Sequence, residues 1–220
     1  MKNLFKQEIT PSILNVKPEE RIKVIAELLK LGIKWIHYDI MDGVFVPNRA
    51  ISIAEIKSFH EQLPKHLSDV HLMVSNPWEY AEALKDYTNC LTVHYEAFAN
   101  DQDLINFVEH FTNSNWIGLA IKPQTSFAEV SHLLYLFDLL LIMAVEPGQG
   151  GQAFLEQTYI KITDAVQFID NEKLPTIIQV DGGIKDHNSA KVFAAGSQFN
   201  VVGTYLVENL NKASLEKLKP

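Results

Sequence analysis

The chain has 220 residues, of which 47% are hydrophobic and 21% charged, so it can bury a substantial core and is not a disordered or low-complexity protein. Its 19 basic and 27 acidic residues give a net charge of -8, which argues against a nucleic-acid-binding role because such proteins cluster Lys and Arg against phosphates. The single cysteine, Cys90, excludes a disulfide framework and a cysteine-based zinc site.

Short runs of β-branched and apolar residues alternate with longer segments of helical periodicity along the chain. The predicted strands cover residues 9–14, 35–40, 70–73, 90–93, 116–121, 139–145, 176–180 and 199–202. The predicted helices cover residues 18–31, 53–62, 78–84, 102–112, 127–136, 155–170, 188–195 and 206–218. Eight strand–helix units predict a (β/α)8 TIM barrel, an α/β fold, as a single domain over residues 1–220. The alternative is an open doubly wound sheet, but its GxGxxG fingerprint is absent.

The chain shows no membrane or export signal. The longest apolar stretch, residues 133–145, is interrupted by Asp138 and is too short to cross a bilayer. The first residues, MKNLFKQE, lack the apolar run of a signal peptide. We therefore expect a cytoplasmic protein with no membrane partner and no nucleic-acid partner.

Seven glycines follow predicted strands, where the loops of a barrel build its active face. They are Gly43, Gly148, Gly150, Gly151, Gly182, Gly183 and Gly203. Glycine allows the backbone to approach a ligand closely, although glycines are also common in ordinary loops. The loop containing Gly148 to Gly151 could form a lid or an anion cradle, and the loops after strands seven and eight are where many barrels hold phosphate.

Four side chains from three strands predict a metal site. His37 and Asp39 share the inner face of the second strand, because alternate strand residues point the same way. His71 lies on the third strand, and Asp181 ends the seventh. Imidazole and carboxylate ligands suit Zn²⁺, Fe²⁺, Mn²⁺ or Co²⁺. The alternatives are a closed His–Asp hydrogen-bond network, a core histidine at position 71 and a turn-capping role for Asp181.

Three methionines lie at the ends of predicted strands. These residues, Met41, Met73 and Met143, are either ordinary core fillers or a soft apolar floor beside a planar intermediate.

The motifs resemble those of the ribulose-phosphate 3-epimerase family from residue 11 to about residue 204. The matching segments are PSIL at 11–14, HYDIMDG at 37–43 with FVPN at 45–48, HLM at 71–73, VH at 93–94 with Glu96, residues 143–154 and VDGG at 180–183. The resemblance implies a metal-dependent TIM barrel that interconverts D-ribulose 5-phosphate and D-xylulose 5-phosphate, a step of the pentose phosphate pathway.

The resemblance also implies roles for individual residues. His37, Asp39, His71 and Asp181 correspond to the ligands of one divalent ion, with zinc the first expectation and iron, manganese and cobalt as alternatives. Asp39 and Asp181 correspond to the acid and base, and Ser12 and His71 to substrate contacts. The substrate and phosphate loops correspond to Gly148, Gln149, Gly150, Gly151, Gly182, Gly183, Gly203 and Thr204. Met41, Met73 and Met143 correspond to the lining of the reaction centre, and we expect a homo-oligomer.

The sequence departs from the family at a few positions. Asn15 follows Leu14 where a small residue is usual, Ala144 replaces Ser or Thr, and Gln149 replaces a Phe of the lid in many members. Alternative functions are an epimerase of another ketose phosphate such as D-allulose 6-phosphate, a non-catalytic sugar-phosphate sensor, and a metal-free barrel enzyme. An intact pair of carboxylates disfavours the sensor, and the two histidines disfavour the metal-free enzyme.

Overall fold

Eight parallel strands form a nearly closed barrel in the computed structural model, which describes residues 7–220. The expectation about a signal peptide falls mainly on residues 1–6, outside the described residues. The strands are β1 (Glu8–Pro11), β2 (Trp35–Met41), β3 (Leu67–Met73), β4 (Cys90–His94), β5 (Trp116–Ile121), β6 (Leu139–Met143), β7 (Ile177–Asp181) and β8 (Phe199–Val202).

The strand order is β1-β8-β7-β6-β5-β4-β3-β2, and every ladder is parallel. β1 and β2 then meet through an isolated parallel bridge between Ser12 and His37. The predicted (β/α)8 architecture is confirmed, and the doubly wound alternative is wrong because the sheet returns to its first strand.

Helices cover the outside of the sheet. They are α1 (Arg21–Lys30), α2 (Ile53–Gln62), α3 (Pro77–Leu84), α4 (Asp101–Phe111), α5 (Phe127–Val130), α6 (Thr158–Glu172), α7 (Ser189–Ala195), α8 (Thr204–Glu208) and α9 (Lys212–Leu218). Short 3-10 helices occur at Pro18–Glu20, Tyr95–Ala97 and Ser131–Leu136. Among residues 7–220, no helix has the length and apolar character that crossing a bilayer requires.

Four helix predictions differ from the structure. The segment predicted as a helix over 18–31 begins with the 3-10 helix Pro18–Glu20 before α1. The segment predicted as one helix over 206–218 is two helices, because Asn211 adopts an extended backbone and its side chain caps α9 by accepting the Ser214 N–H. α6 begins at Thr158, since the Leu155 N–H donates to the carbonyl of Ala144 and holds residue 155 in the preceding loop. The segment over 127–136 changes from α-helix to 3-10 helix after Val130.

β2 illustrates how the strand pattern positions the site. Its residues are all buried, and they alternate between the two faces of the sheet. Tyr38 points outward and stacks on Phe59 of α2, with ring centroids 5.5 Å apart. Trp35 points inward and packs against Trp116 and Phe199 at the amino-terminal end of the barrel. His37, Asp39 and Met41 follow on the inner face toward the carboxyl end.

Candidate active site and metal centre

The four predicted metal ligands lie together at the carboxyl end of the barrel. One ligand atom from each of His37, Asp39, His71 and Asp181 lies within 4.8 Å of the others. β2 supplies two of these side chains, β3 the third and β7 the fourth. The barrel therefore brings the sequence-predicted set into one cluster that could hold a metal ion.

Two buried imidazole nitrogens in this cluster have no hydrogen-bond partner, namely Nε2 of His37 and Nδ1 of His71. His37 Nε2 lies 3.4 Å from Asp39 Oδ1 and 3.8 Å from Asp181 Oδ2. His71 Nδ1 lies 3.5 Å and 3.8 Å from the same two oxygens.

These distances exceed those of good hydrogen bonds, so the four groups do not form a closed network. Leaving a buried polar atom unpaired costs about 1–3 kcal/mol. Two imidazole nitrogens facing two carboxylates fit a divalent cation, which would take the place of any proton on them and satisfy all four groups.

The two carboxyl groups have different electrostatic environments. Burial would raise the pKa of Asp39, but the imidazoles of His37 and His71 hold it well below its usual range. Burial raises the pKa of Asp181 to about 6, against the opposing effect of His37 and with the added effect of Asp39. Burial would lower the pKa of His37, but Asp69 and Asp39 raise it well above its usual value. The cluster therefore concentrates negative charge that a cation would balance.

Asp69 forms a hydrogen bond with the ring of His37 on the side away from the cluster. This residue was not identified from the sequence. His37 Nδ1 lies 2.7 Å from Asp69 Oδ2, which also accepts from Gln179 Nε2 at 2.7 Å. Thr92 Oγ1 donates to Asp69 Oδ1 at 3.2 Å. Asp69 precedes His71 by two residues and shares its face, but the predicted third strand began at Val70 and left Asp69 outside the pattern.

His94 and Glu96 support His71 in a similar way. His94 Nε2 lies 2.8 Å from His71 Nε2, and His94 Nδ1 lies 3.1 Å from Glu96 Oε2. Burial lowers the pKa of His94 to about 4, and Glu96 only partly opposes this effect. Both residues belong to the motifs of the family resemblance, but sequence reasoning assigned them no role.

Ser12 follows β1 and contacts the cluster directly. Its hydroxyl donates to Asp39 Oδ2 at 2.6 Å, which leaves Oδ1 facing the two imidazole nitrogens. The hydrogen bond fixes the orientation of the Asp39 carboxylate.

A cleft opens at the carboxyl end of the barrel next to the four clustered residues, and it is called the cleft from here on. The predicted loop residues line it together with the three methionines, which are buried at its base. The lining includes Ser12, Asp39, Met41, Met73, Met143, Gly148, Gln149, Gly150, Gly151, Asp181, Gly182, Gly183, Gly203 and Thr204. His37 and His71 are fully buried beside it.

Side-chain hydrogen bonds connect the loops around the cleft. Asn48 Nδ2 donates to the carbonyl of Gly148 at 2.7 Å, and Asn15 Nδ2 donates to Thr204 Oγ1 at 2.7 Å. Gly183 has φ +65° and passes so close to the backbone nitrogen of Phe154 that a Cβ would overlap it. Glycine is therefore required at this position on both conformational and steric grounds.

The match to known proteins agrees with this geometry. Residues 8–207 match the model of the ribulose-phosphate 3-epimerase family. The ribulose-phosphate 3-epimerase of Synechocystis sp. is 34% identical, over 93% of this chain and 89% of that protein. Proteins with the same name from Schizosaccharomyces pombe and Escherichia coli K12 are 32% and 29% identical, over 91% of this chain and 87% and 88% of their own lengths.

Solved structures share the fold at lower identity. A 3-hexulose-6-phosphate synthase aligns with a TM-score of 0.70 and 15% identity, over 96% of this chain and 97% of its own. A thiamine phosphate pyrophosphorylase from Pyrococcus furiosus aligns with a TM-score of 0.62 and 15% identity, over 96% and 93%. These structures support the fold alone, whereas the family match covers nearly the whole barrel. The chain is an epimerase that belongs to the ribulose-phosphate 3-epimerase family.

Proposed function

We propose that this enzyme inverts C3 of D-ribulose 5-phosphate to give D-xylulose 5-phosphate, with a divalent ion held by His37, Asp39, His71 and Asp181. The observation that carries the proposal is the pair of buried, unpartnered imidazole nitrogens facing two carboxylates at the base of the cleft. The names of the relatives support this substrate for the chain.

The chemistry of the substrate requires two proton-transferring groups. The hydrogen on C3 lies next to the C2 ketone, so its removal leaves an enediolate. Inversion then needs a proton delivered to the opposite face, which one base cannot easily provide. Asp39 on β2 and Asp181 on β7 are carboxyls from different strands that reach the same cleft. In this proposal one of them removes the C3 proton and the other delivers a proton.

A bound divalent ion would supply Lewis-acid stabilisation of the developing negative charge. Zinc suits the two imidazoles and two carboxylates, and iron, manganese and cobalt are alternatives. The side chains of the protein orient the reacting groups. Ser12 orients Asp39 through its 2.6 Å hydrogen bond, and the three methionines form an apolar surface against which the planar intermediate would lie.

We assign the phosphate to the glycine loops. Gly182-Gly183 and Gly203-Thr204 line the cleft, and loops at these places hold phosphate in many barrels, where backbone N–H groups can bind the anion. The loop from Gly148 to Gly151, with Gln149, covers the cleft from the side of β6 and would contact the bound sugar. Ser12 is the remaining proposed direct substrate contact. His71 is fully buried and both of its ring nitrogens face other groups, so it would act on the sugar through the bound ion.

The first test is a coupled assay of ribulose 5-phosphate conversion, made before and after chelation and again after metal is added back. We expect turnover that chelation abolishes and that Zn²⁺, Fe²⁺, Mn²⁺ or Co²⁺ restores. A parallel assay with D-allulose 6-phosphate tests the hexulose alternative. A folded, metal-loaded protein that converts only the hexulose would contradict the pentulose assignment, and full activity after complete chelation would contradict the metal requirement.

A further inference from the structure

The edge of His71 that faces away from the carboxylates meets a second imidazole. Nε2 of His71 and Nε2 of His94 are 2.8 Å apart, and both rings are fully buried. One proton must lie between two imidazole nitrogens at this distance, because two lone pairs or two N–H groups would repel each other. The ring that carries this proton determines which atom of His71 is free for the metal site.

Glu96 determines the direction of the hydrogen bond. Its Oε1 accepts the Lys122 backbone N–H at 2.9 Å and the Thr125 hydroxyl, and its Oε2 lies 3.1 Å from His94 Nδ1. A carboxylate can only accept, so His94 presents Nδ1–H toward Glu96. Neutral His94 then has a lone pair at Nε2, which accepts a hydrogen bond from the Nε2–H of His71.

The surroundings of His94 oppose a second proton on its ring. The ring is fully buried and lies 4.9 Å from the ring of Phe45, measured between centroids. The Lys122 ammonium lies 4.0 Å from the centroid of the same Phe45 ring. A positive charge on His94 would therefore be desolvated and close to another cation.

We infer that Glu96 and His94 are positioning residues that keep a proton on Nε2 of His71 and so leave the lone pair of Nδ1 facing Asp39 and Asp181. The inference rests on the metal site of the proposed function. Asp69 orients His37 directly, since its carboxylate accepts from His37 Nδ1 at 2.7 Å and leaves Nε2 as the atom that faces Asp39 and Asp181. Outer partners of this kind orient the imidazole ligands of metals and fix their tautomers.

The variant Glu96→Gln tests the direction of the hydrogen bonds that run from His71 to His94 and from His94 to Glu96, which we call the relay. In the variant, the Gln side-chain oxygen would accept the hydrogen bonds from the Lys122 N–H and the Thr125 hydroxyl. The opposite orientation would place the Gln NH₂ group against these two donors. The Gln amide would then donate to His94 Nδ1, which forces a proton onto His94 Nε2 and onto His71 Nδ1. That proton would occupy the atom that faces the carboxylates.

Two readouts follow, and neither is activity. Nitrogen-15 NMR of labelled histidines in the metal-free protein should find protons on His71 Nε2 and His94 Nδ1 in the wild type, and the opposite pair in Glu96→Gln. Titration of Zn²⁺ against a competing chelator should give a dissociation constant raised about 10–100-fold in the variant. The matched control is Glu129→Gln, which removes the same charge from an exposed helix-capping residue nearby.

The outcomes separate this inference from the proposed function. If folded Glu96→Gln has the same histidine tautomers and the same zinc affinity as the wild type, the inference about Glu96 and His94 is wrong. The metal site of the proposed function would be unaffected by that result. Failure of the wild type to bind a metal ion would remove the metal from the proposed function, whereas the tautomers of the metal-free wild type would still decide the relay. A proton on His71 Nδ1 in the wild type would overturn the inference without any variant.

Discussion

Asp39 and Asp181 occupy different surroundings although both face the same two imidazole nitrogens. Asp39 is held by the Ser12 hydroxyl, and its side chain is 4% exposed. The Asp181 side chain is 17% exposed at the end of β7. The first carboxylate is therefore fixed in orientation, and the second is the more accessible from the cleft.

We expect Asp39→Asn and Asp181→Asn each to lower turnover by about 10²–10⁴-fold, because an amide cannot exchange a proton as a carboxyl does. The measurement is the rate of C3 inversion together with exchange of the C3 hydrogen in deuterium oxide. A variant that has lost only the proton-delivering group should still exchange this hydrogen from one epimer without inverting it.

The control for both variants is Asp164→Asn on the exposed face of α6, which should behave like the wild type. Metal content must be measured in each variant, since both aspartates are also proposed ligands. Near-normal inversion by a folded Asp181→Asn enzyme would exclude Asp181 from proton transfer.

The sequence predicted the four clustered residues of the candidate metal site better than the residues that support them. His37 and Asp39 share the inner face of β2 through period-two spacing, and His71 and Asp181 lie near the carboxyl ends of β3 and β7, so their convergence follows once the barrel is inferred. The contacts of Asp69 with Gln179 and Thr92 depend on the register between strands far apart in sequence. No local pattern encodes that register, so Gln179 could not be found from the sequence alone.

At the scale of elements, the loop after β2 is held by Asp42. Oδ2 of Asp42 accepts from the N–H and hydroxyl of Ser75 at 2.6 and 2.7 Å, and Oδ1 accepts from the N–H groups of Val44 and Phe45. Burial would raise the pKa of Asp42, but these hydrogen bonds lower it to about 2. The loop therefore depends on an ionised carboxylate.

A depressed pKa stabilises the folded state above the unfolded pKa, and this stabilisation is lost as the pH falls through the folded value. For Asp42 the window runs from about pH 4 down to about pH 2, and the contribution is about 2 kcal/mol. We expect Asp42→Asn to lower the free energy of unfolding in urea at pH 7 by about 1–3 kcal/mol, since the amide opposes the Ser75 donors.

The difference in the free energy of unfolding between wild type and Asp42→Asn should narrow as the pH falls below about 4. Only the wild type has this carboxylate, and it becomes protonated in that range. Urea titrations at pH 7, 4 and 3 would measure this difference, with Asp164→Asn as the control that shows no difference at any pH. A constant difference across these pH values would refute the assignment of a depressed pKa to Asp42.

The helical elements could be predicted where the hydrophobic period was continuous. α2 matches its predicted range of 53–62, and its start is marked by Ser52, which forms a capping box with Glu55. The predicted helix over 206–218 failed because Asn209 and Asn211 turn the chain through side-chain bonds that compete with helical ones. Apolar periodicity continues through that turn and conceals it.

At the scale of the molecule, the inside of the barrel contains a polar group of residues above the aromatic side chains of Trp35 and Phe199, next to apolar residues of β5 and β6. Asp69 joins four strands in this group through His37, Thr92 and Gln179. Gly118 of β5 lies beside Thr92, and a Cβ there would overlap Thr92 Oγ1 and press on Leu139. The polar group is therefore closely packed as well as hydrogen-bonded.

We expect Gly118→Ala to destabilise the protein by about 1–3 kcal/mol through overpacking, measured by urea unfolding. The double variant Gly118→Ala with Thr92→Ala should be more stable than the sum of the single effects predicts, because removing Thr92 Oγ1 removes the closest overlap. Strictly additive effects would mean that the added methyl group is accommodated elsewhere.

The barrel itself was the most predictable feature, since eight alternating units leave few ways to cover a parallel sheet. The closure between β1 and β2 was not predictable, because the first predicted strand, over 9–14, spans Glu8–Pro11 in the structure. Within residues 7–220, an isolated bridge from Ser12 to His37 joins the two strands.

That closure has a consequence for how the empty and the filled protein would move. β2 and β3 share seven register pairs, whereas the join between β1 and β2 depends on one backbone bridge and the hydrogen bond from Ser12 to Asp39. Oδ2 of Asp39 therefore helps to hold β1 against β2, while Oδ1 faces the imidazole nitrogens of the candidate metal site. A group that fixed the Asp39 carboxylate from the cleft would also restrain the Ser12 hydroxyl bound to it, and with it the join between β1 and β2.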